Sequence, residues 1–494
     1  MQTVTKEIPW LAMTFPFVVL CGCHTGSVGT SGDAGSDGNL VITLGGPDVG
    51  PDLGPDVVAK DAPSAADVAT SPSDVQPDRK PDTADAGICK HELTNPACWA
   101  SFDITRWTGI TEAFRGAIFD GTYVNFFNDA YGTDAVSYRY NTTKPFTEDA
   151  SWSGFSTYGY ADEFSTEAFD GRYIYLIPAG ASNNGAAGGT YDDLIGRLDS
   201  QASKLSASAW SSLDVTKVSG TADLTIPGYF GGAFDGRYLY FAPYAVGDKA
   251  SGKAMRYDTQ AALTASTSWS WFDTTTVAAD AKGFAGALFD GRYLYFIPNS
   301  SAVNPFTGDY TPSGVVVRYD TKAEFADAAS WSTFDTGTLT PAARGFAGAT
   351  FDGRYIYMAP NGDWTKGVVP TRYDTKGSFT DPSSWRSFDL SKTTVAGGDF
   401  VDMYFYGASF DGRYVYYIPG DGTVLVRYDT QADFSSASAW ESVGMWAVGA
   451  SSGFRGAAFD GQYLYLVPRD WGPIMRFDAV SPSALPGGNG ASFF

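Results

Sequence analysis

One phrase, Phe-Asp-Gly followed within two residues by Tyr, occurs seven times along the chain. The copies begin at Phe119, Phe169, Phe234, Phe289, Phe351, Phe410 and Phe459. Self-similarity at a period of a few tens of residues is typical of repeat architectures, in which each unit buries its faces against its neighbours. The period therefore limits the fold more strongly than any single motif does.

The repeated phrase lies between two apolar runs, as in "GALFDGRYLYFI". Asp-Gly in this setting is a strong hairpin signal, because both residues tolerate positive φ, so each copy predicts strand, tight turn and strand. In the second run Tyr293, Tyr295 and Ile297 share one face, and Leu294 and Phe296 share the other. Both faces are apolar, so we expect the sheet to be covered on both sides.

Two further phrases complete each repeat. One, "RYDT" in its commonest form, ends a predicted third strand at Arg139, Arg197, Arg256, Arg318, Arg372, Arg427 and Arg476. The other, as in "SWSTFD", predicts a turn and a fourth strand that begins with Trp. Seven repeats of four antiparallel strands predict an all-β, seven-bladed β-propeller.

The fourth-strand Trp indicates how the ring closes. Six repeats contain it, at Trp152, Trp210, Trp269, Trp331, Trp385 and Trp440, and the seventh ends after "RFD" without one. The matching segment, "CWASFDIT" with Trp99, Phe102 and Asp103, precedes the first hairpin. We therefore expect the N-terminal strand to complete blade seven and to leave no open edge between the first and last blades.

The N-terminus has the features of an export signal. Residues 8–20 form an apolar run that suits a secretory signal and is too short to span a bilayer. The following "LCGC" resembles the lipobox of bacterial lipoproteins, which implies cleavage before Cys23 and lipid attachment to its sulfur. An ordinary secretion signal with two incidental cysteines is the alternative.

The next segment has a different composition. Residues 23–88 are dominated by Gly, Pro, Ala, Ser and Asp, with eleven Asp against three basic residues. Such a segment cannot bury a core, and we predict a disordered, extended tether. The predicted domains are a lipoprotein signal peptide (1–22), the tether (23–88), the propeller (89–478) and a flexible C-terminal tail (479–494).

Charge and cysteine usage limit the partners and the compartment. A net charge of −22 argues against nucleic acid as a partner. Cys89 and Cys98 are the two cysteines outside the signal region. After export a pair this close in sequence is expected to form a disulfide.

The phrases "FDGRYxY", "RYDT" and "SWxxFD" resemble those of secreted bacterial seven-bladed β-propellers over residues 99–478, and the chain resembles uncharacterised bacterial lipoproteins with such a domain. Its repeats lack the Gly-His and Trp-Asp motifs of WD40 repeats and the Gly-Gly motif of kelch repeats. They also lack the Ser-x-Asp-x-Gly-x-Thr-Trp box of sialidases. The resemblance implies a lipid-anchored location in the bacterial cell envelope, with the outer membrane as the expected site. It implies no activity.

The inventory of reactive side chains is small. Residues 99–478 contain neither His nor Cys, which excludes His-dependent nucleophiles and His- or Cys-ligated metal centres there. Glu167 is the catalytic candidate, because it occupies an inner-strand column that holds Ala or Gly in the other repeats. Such a carboxylate either acts in catalysis or meets water in the channel. We predict no cofactor, with calcium in oxygen-rich loops such as "NDAYGTD" and "PGDGT" as the alternative.

Four antiparallel strands per blade place the loops between strands 2 and 3, and the connections between blades, on one face. These segments vary between repeats, so we name this the variable-loop face and expect it to bind the ligand. The predicted ligand-binding residues, over blade seven, are Trp107, Trp446, Trp471, Arg106, Arg115, Arg455, Arg469 and Asp470. Indoles beside guanidinium groups suit an anionic glycan, and the alternative is that these indoles pack the loops or plug the channel.

Two classes of function remain. The first is a surface-anchored, non-enzymatic lipoprotein whose propeller binds an extracellular glycan or protein. The second is a carbohydrate-active enzyme, a glycoside hydrolase or a polysaccharide lyase, that uses carboxylates at the channel mouth. In both we expect a monomer that contacts the membrane only through its lipid anchor.

Overall fold

The computed structural model describes residues 89–479 except 105–113, 129–135, 162–163, 180–193, 203, 216–227, 247–248, 305–308, 363–366, 394–403, 421–423, 451–452 and 470–471. The predicted signal peptide, the tether with Cys23, and residues 480–494 of the predicted tail lie outside the described residues. No helix in the described part of the chain has the length and apolar character to cross a membrane.

The described chain forms seven four-stranded antiparallel sheets. The first strands are β2 (Phe114–Phe119), β6 (Phe164–Phe169), β10 (Gly228–Phe234), β15 (Phe284–Phe289), β21 (Phe346–Phe351), β25 (Phe405–Phe410) and β29 (Phe454–Phe459). The second strands are β3 (Tyr123–Asn128), β7 (Tyr173–Pro178), β11 (Tyr238–Val246), β16 (Tyr293–Pro298), β22 (Tyr355–Pro360), β26 (Tyr414–Pro419) and β30 (Tyr463–Pro468).

The outer half of each sheet holds the Arg and Trp phrases. The third strands are β4 (Val136–Asn141), β8 (Leu194–Asp199), β13 (Lys253–Asp258), β19 (Val315–Asp320), β23 (Thr371–Asp374), β27 (Val424–Asp429) and β31 (Ile474–Asp478). The fourth strands are β5 (Trp152–Ser156), β9 (Trp210–Asp214), β14 (Trp269–Asp273), β20 (Trp331–Asp335), β24 (Trp385–Ser387), β28 (Trp440–Gly444) and, for blade seven, β1 (Trp99–Phe102).

First strands of successive blades contact each other all the way round, from β2 through β29 and back to β2. They therefore surround a common axis, and the chain is a seven-bladed β-propeller with four antiparallel strands per blade, as predicted. Two additional strand elements lie outside the four-stranded blades, on the variable-loop face. Strand β12 (Lys249–Ala250) pairs with β11, and the hairpin of β17 (Ser300–Asn304) and β18 (Asp309–Pro312) extends from blade four.

Short 3-10 helices flank the fourth strands. Those before the Trp are Pro96–Cys98, Asp149–Ser151, Ala207–Ala209, Ser266–Ser268, Ala328–Ser330, Pro382–Ser384 and Ala437–Ala439. Those after the fourth strand are Thr274–Thr276, Thr336–Thr338, Leu390–Lys392 and Met445–Val448. Most begin after an Asp or Asn whose side chain accepts a backbone N–H, which satisfies a donor that the first helical turn leaves unpaired.

The Phe-Asp-Gly turn has the same geometry in all seven blades. The Asp carboxylate accepts two backbone N–H groups, two and three residues further on, at 2.6 to 3.0 Å. The Gly φ angles lie between 95 and 100°, and none of these Asp residues has a positive φ. The predicted strand, tight turn and strand are therefore present in each blade. The Gly supplies the positive φ of the turn, and the Asp carboxylate accepts the two N–H groups that follow.

The Arg of the third-strand phrase stacks on aromatic rings. In every blade its guanidinium lies over the Tyr that follows the Phe-Asp-Gly turn, 4.1 to 4.6 Å from the ring centre. In blade three, Arg256 also lies 4.5 Å from the ring of Phe325, which belongs to blade four. The Arg therefore links neighbouring blades through cation–π contacts.

The closest stacked aromatic pairs between blades join a Phe at the end of a fourth strand to the Trp of the next blade. Phe272 and Trp331 stack with ring centres 4.5 Å apart and planes 6° apart. Phe334 and Trp385 repeat this at 4.4 Å and 9°. In six blades the Trp indole N–H donates to a carbonyl six residues earlier, as from Trp331 to Phe325 at 2.9 Å. In blade two the buried indole N–H of Trp210 has no partner among the described residues. A buried ring whose polar atom is also satisfied suits this position in the other six blades.

The ring closes as predicted, because β1 pairs with β31 and places Trp99 opposite Phe477. Through β1, blade seven also stacks on blade one, where the ring of Phe102 lies 4.3 Å from that of Trp152 with planes 12° apart. The predicted disulfide between Cys89 and Cys98 is present immediately before β1.

We expect a chain that begins at Arg106 to melt about 10 °C below one that begins at Cys89. Losing β1 opens the edge of β31 and removes two buried aromatic side chains, each worth a few kcal/mol. Thermal unfolding followed by circular dichroism measures the difference, and the chain that begins at Cys89 should melt like the full chain. Equal melting temperatures for both shortened chains would contradict this closure.

Candidate functional site

Three exposed aromatic side chains mark the variable-loop face. Trp446 is 64% exposed, Tyr158 42% and Tyr310 40%, and no other large apolar side chain in the described ranges is classed as exposed. Trp446 lies in the helix that enters blade seven, Tyr158 lies in the connection between blades one and two, and Tyr310 lies in the hairpin of blade four. All three segments belong to the same face, which concentrates the exposed aromatic surface there.

Each first strand contains a β-bulge close to this face. A bulge removes one residue from the ladder and re-aims its side chain. Since the first strands surround the axis, the bulged residues form a ring at the mouth of the central channel. We name this ring the mouth column, and its members are Arg115, Ser165, Phe230, Ala285, Ala347, Tyr406 and Arg455.

The side chains of the mouth column differ in size from blade to blade. Blades four and five contribute only Ala, and the first strands of blades three and four approach so closely that a Cβ at Gly231 would lie 2.5 Å from the Cα of Gly286. Gly231 also has a φ of 99°, so this position requires glycine. The large side chains of the column come from blades one, three, six and seven.

A cluster of two tyrosines and an arginine joins blades six and seven at the mouth. The Tyr404 and Tyr406 rings meet edge to face, 5.6 Å apart. The Arg469 guanidinium donates to the Tyr404 hydroxyl at 3.1 Å and lies 5.7 Å from the Tyr406 ring centre. All three side chains are half-buried, so each keeps part of its surface open to solvent.

Aromatic rings from the opposite side of the channel complete this cluster. Phe230 and Tyr244 of blade three have ring centres 5.7 Å apart. Burial, together with Tyr406, raises the pKa of Tyr244 to about 12. Tyr406 therefore acts electrostatically on Tyr244 although blades three and six are not neighbours in the ring.

Tyr310 of blade four extends the same group of rings. Its hydroxyl lies 3.3 Å from the carbonyl oxygens of Asn299 and Asn361, and burial of that hydroxyl, followed by the nearby Tyr244, raises its pKa. We name the whole set the mouth cluster. Its members are Phe230, Tyr244, Tyr310, Tyr404, Tyr406 and Arg469.

The predicted ligand-binding residues divide into two groups. Arg106, Trp107, Asp470 and Trp471 lie outside the described residues. Of the others, Arg115 and Arg455 occupy the mouth column in adjacent blades, as the alignment of the repeats predicted. Arg469 belongs to the mouth cluster, and Trp446 is exposed where blade seven begins.

Glu167 is buried rather than facing water in the channel, since its exposed fraction is 2%. Neither carboxylate oxygen has a hydrogen-bond partner among the residues that the structure describes. Burial raises the pKa of Glu167 to about 8, and Arg115 of blade one opposes this shift. The carboxyl is therefore largely protonated, and uncharged, at neutral pH.

The position of Glu167 in the repeat explains this burial. A Cβ at Gly232, the same column in blade three, would contact Ile177 of the preceding blade. By the same register Glu167 faces blade one, where Ile118 and Phe127 are fully buried. A carboxyl in an apolar interface between blades loses its hydration, which penalises the ionised form.

Glycoside hydrolysis requires a second carboxylate opposite the first. Among the described residues Arg115 is the one charged side chain that shifts the pKa of Glu167. The oxygen-rich loops considered for calcium lie mostly outside the described residues. Cys89, His91 and Asp478 have ligand atoms within 4.8 Å of one another, but the Cys89 sulfur is held in the disulfide and cannot ligate a metal as a thiolate.

Neither a protein-family model nor a curated protein matches the chain. Among solved structures it is similar to the β-propeller domain of Cps50 (Swd1) from Myceliophteria thermophila, with 10% identity and a TM-score of 0.46, over 75% of this chain and 100% of that one. It is also similar to the extracellular domain of a putative hybrid two-component system from B. thetaiotaomicron, with 11% identity and a TM-score of 0.44, over 76% of this chain and 39% of that one.

A putative 6-phosphogluconolactonase from Bacteroides uniformis is similar at 12% identity and a TM-score of 0.37, over 63% of this chain and 78% of that one. Similarity at such low sequence identity and TM-score does not indicate that this protein shares an activity or a ligand with these structures. The class of this protein, a seven-bladed β-propeller, rests on its strand topology.

Sequence reasoning missed the mouth cluster apart from Arg469. Its residues come from four blades and are far apart in the chain, so no local spacing unites them. The alignment of the repeats contained a usable signal, because the residue after the first Phe or Tyr of each inner strand changes between Arg, Ser, Phe, Ala and Tyr while the residues around it repeat.

We expect Glu167→Gln to change how stability depends on pH. A folded-state pKa of about 8 exceeds the value of about 4.3 for an exposed Glu, so the folded state binds this proton more tightly. That contribution is complete below about pH 4.3 and is lost as pH rises to about 8, at no more than about 1.4 kcal/mol per pH unit.

Urea unfolding of wild type and Glu167→Gln between pH 5 and pH 9 measures this effect. The stability of the wild type relative to the variant should fall as pH rises to about 8 and then level off. Parallel stability curves for the two proteins would mean that Glu167 titrates as an ordinary exposed carboxyl.

Proposed function

We propose that this protein is an exported lipoprotein whose propeller binds an extracellular ligand, a glycan or a protein, on its variable-loop face without catalysing a reaction. The observation that carries the proposal is that Tyr158, Tyr310 and Trp446, the exposed aromatic residues of the described chain, share that face. Exposed rings lose little conformational entropy on binding and bury much area, which is why aromatic side chains dominate binding hot spots.

Binding is favoured over catalysis by the state of Glu167. A catalytic carboxyl must reach the scissile bond, whereas Glu167 is 2% exposed and lies between two blades. Its raised pKa has a structural cause in the apolar interface, so it does not by itself indicate an active site.

A glycan is the ligand we favour of the two. Aromatic rings stack on the apolar faces of sugars, and the large polar members of the mouth column are arginines in a chain of net charge −22. An arginine-rich mouth in an acidic protein favours an anionic ligand, because the rest of the surface repels such a ligand and the mouth attracts it.

We expect Trp446→Ala and Tyr158→Ala each to weaken binding to a polysaccharide about thirtyfold, which corresponds to about 2 kcal/mol for an interface anchor. The assay is a panel of anionic and neutral polysaccharides on the full chain, read by biolayer interferometry and by release of reducing ends. Melting temperatures should stay within about 2 °C of the wild type, because neither side chain is buried.

Trp271→Ala is the matched control, since that indole lies in the fourth strand of blade three, at the outer edge of the ring. It should leave binding unchanged. Binding that survives both face variants would refute a ligand site on this face, and release of reducing ends would instead support the carbohydrate-active enzyme.

The export part of the proposal is tested at Cys23, the predicted lipidated residue. A lipidated protein partitions into membranes, because each buried methylene of an acyl chain contributes about 0.8 kcal/mol. We expect Cys23→Ala to move the protein from the membrane fraction to the soluble fraction of the envelope and to abolish labelling with a palmitate analogue. Cys21→Ala is the matched control, and membrane retention of Cys23→Ala would contradict lipid anchoring.

A further inference from the structure

We propose that the interface between blades one and two is a joint at which the propeller ring opens locally, and that Glu167 controls how often it opens. The inference is independent of the proposed function, since it concerns the ring rather than its loops. Four residues depart from their repeat columns at this one interface, namely Asn125, Glu167, Leu198 and Lys204. The six other interfaces of the same ring serve as the reference.

A pair of aromatic rings crosses each of the six other interfaces. One ring comes from the third residue of a second strand, and the other from the Tyr or Phe after the third-strand Arg of the next blade. Their centres lie 5.7 to 6.1 Å apart. Between blades one and two the same positions hold Asn125 and Leu198. An aromatic pair is worth more than the area it buries, so this interface is weaker than the others.

The outer part of this interface is also packed less closely. Phe155 lies 6.5 Å from Trp210 with planes 34° apart, whereas the four stacked Phe–Trp pairs lie 4.3 to 5.0 Å apart with planes 6 to 12° apart. The residue six positions before the Trp is a buried Leu or Phe in the other blades and is the exposed Lys204 in blade two. Trp210 stacks instead on Tyr160 of the connecting segment, at 5.1 Å and 10°.

Three buried polar side chains of this interface have atoms that lack a hydrogen-bond partner within the described ranges. They are Glu167 through both carboxylate oxygens, Asn125 through Oδ1 and Trp210 through Nε1. A buried polar atom without a partner destabilises the closed state, because water would bind it in the open state. Proteins open locally where such penalties are high and packing is weak, which places the joint between these two blades.

The titratable groups on the strands packed against β6 are few. Strand β2 contributes Arg115, β7 contributes Tyr173 and Tyr175, and β10 contributes Tyr229. Tyr175 donates a hydrogen bond to Asp170 at the turn of its own blade. Among all these groups Arg115 is the one that opposes the effect of burial on the carboxyl, and it does so only in part.

The charge of Glu167 therefore couples the joint to pH. Burial raises the pKa of Glu167 to about 8 in the closed ring, and in an open interface the hydrated carboxyl returns to about 4.3. The closed state thus holds the proton more tightly than the open state. Opening becomes more favourable as pH rises to about 8 and is then independent of pH.

The accessibility of a buried thiol measures opening, and the repeat offers a matched pair of positions. Leu176 and Leu466 occupy the same column of the second strand, and both are fully buried. Leu176 packs at the interface of blades one and two, and Leu466 at that of blades six and seven. The full chain with Leu176→Cys or Leu466→Cys is labelled with a maleimide, and peptide mass spectrometry distinguishes the new thiol from the native cysteines.

At pH 8 the Leu176→Cys thiol should be labelled at least about tenfold faster than the Leu466→Cys thiol, as the missing aromatic pair and the ionised carboxyl predict. The ratio of the two rates should rise about tenfold between pH 6.5 and pH 8. The intrinsic pH dependence of thiol reactivity cancels in this ratio.

Glu167→Ala, which restores a residue common in this column, is the control in the Leu176→Cys chain. It should slow labelling at pH 8 and remove the rise of the ratio with pH. Equal labelling of both thiols would mean that the ring opens only by unfolding as a whole. That result, a ratio that does not change with pH, or unchanged labelling in the Glu167→Ala chain would each overturn the inference, and none of them bears on ligand binding at the loops.

Discussion

The ring depends on the contact between the apolar residue at the end of each fourth strand and the Trp of the next blade. This residue is Phe in five blades, Leu213 in blade two and Val443 in blade six. A propeller has no single core, since each blade buries its faces against two neighbours, so every interface must be made for any blade to be stable. The Phe272–Trp331 and Phe334–Trp385 pairs stack almost in parallel, and Phe102 and Trp152 form the same pair between blades seven and one. The ring closes without a peptide bond inside blade seven, where β1 pairs with β31.

Most of the fold could be predicted from the sequence, because a repeated phrase states the same local structure seven times. The strand count, the order within each blade and the closure by residues 99–102 follow from aligning the copies, and the structure agrees. The hairpin at each Phe-Asp-Gly was predicted as well, although the sequence could not show which residue has the positive φ. The structure gives it to the Gly, while the Asp carboxylate accepts the two N–H groups that follow.

The candidate site could be predicted only in part, and the physical reason is distance in sequence. Arg115, Arg455 and Arg469 were found because two share a repeat column and the third adjoins an inner strand. The rings that contact Arg469 belong to Tyr404 and Tyr406, which lie a whole repeat earlier in the chain and reach it only because blade six packs against blade seven. The bulge that aims each mouth-column side chain is also a property of strand pairing rather than of composition. In this chain the residues that repeat build the scaffold, and those that depart from the repeat give one face its chemical character.

The disulfide also determines how the domain responds to tension. Any force applied through the chain before Cys89 passes through the two sulfur atoms to Cys98, the residue immediately before β1. Residues 90–97 are bypassed, so their contacts carry none of the load. One of these contacts is the hydrogen bond from Arg427 of blade six to the carbonyl of His91. When the chain is pulled from its N-terminal side, the tension therefore reaches the strand that closes the ring directly. The pairing of β1 with β31 is then the first part of the propeller to separate.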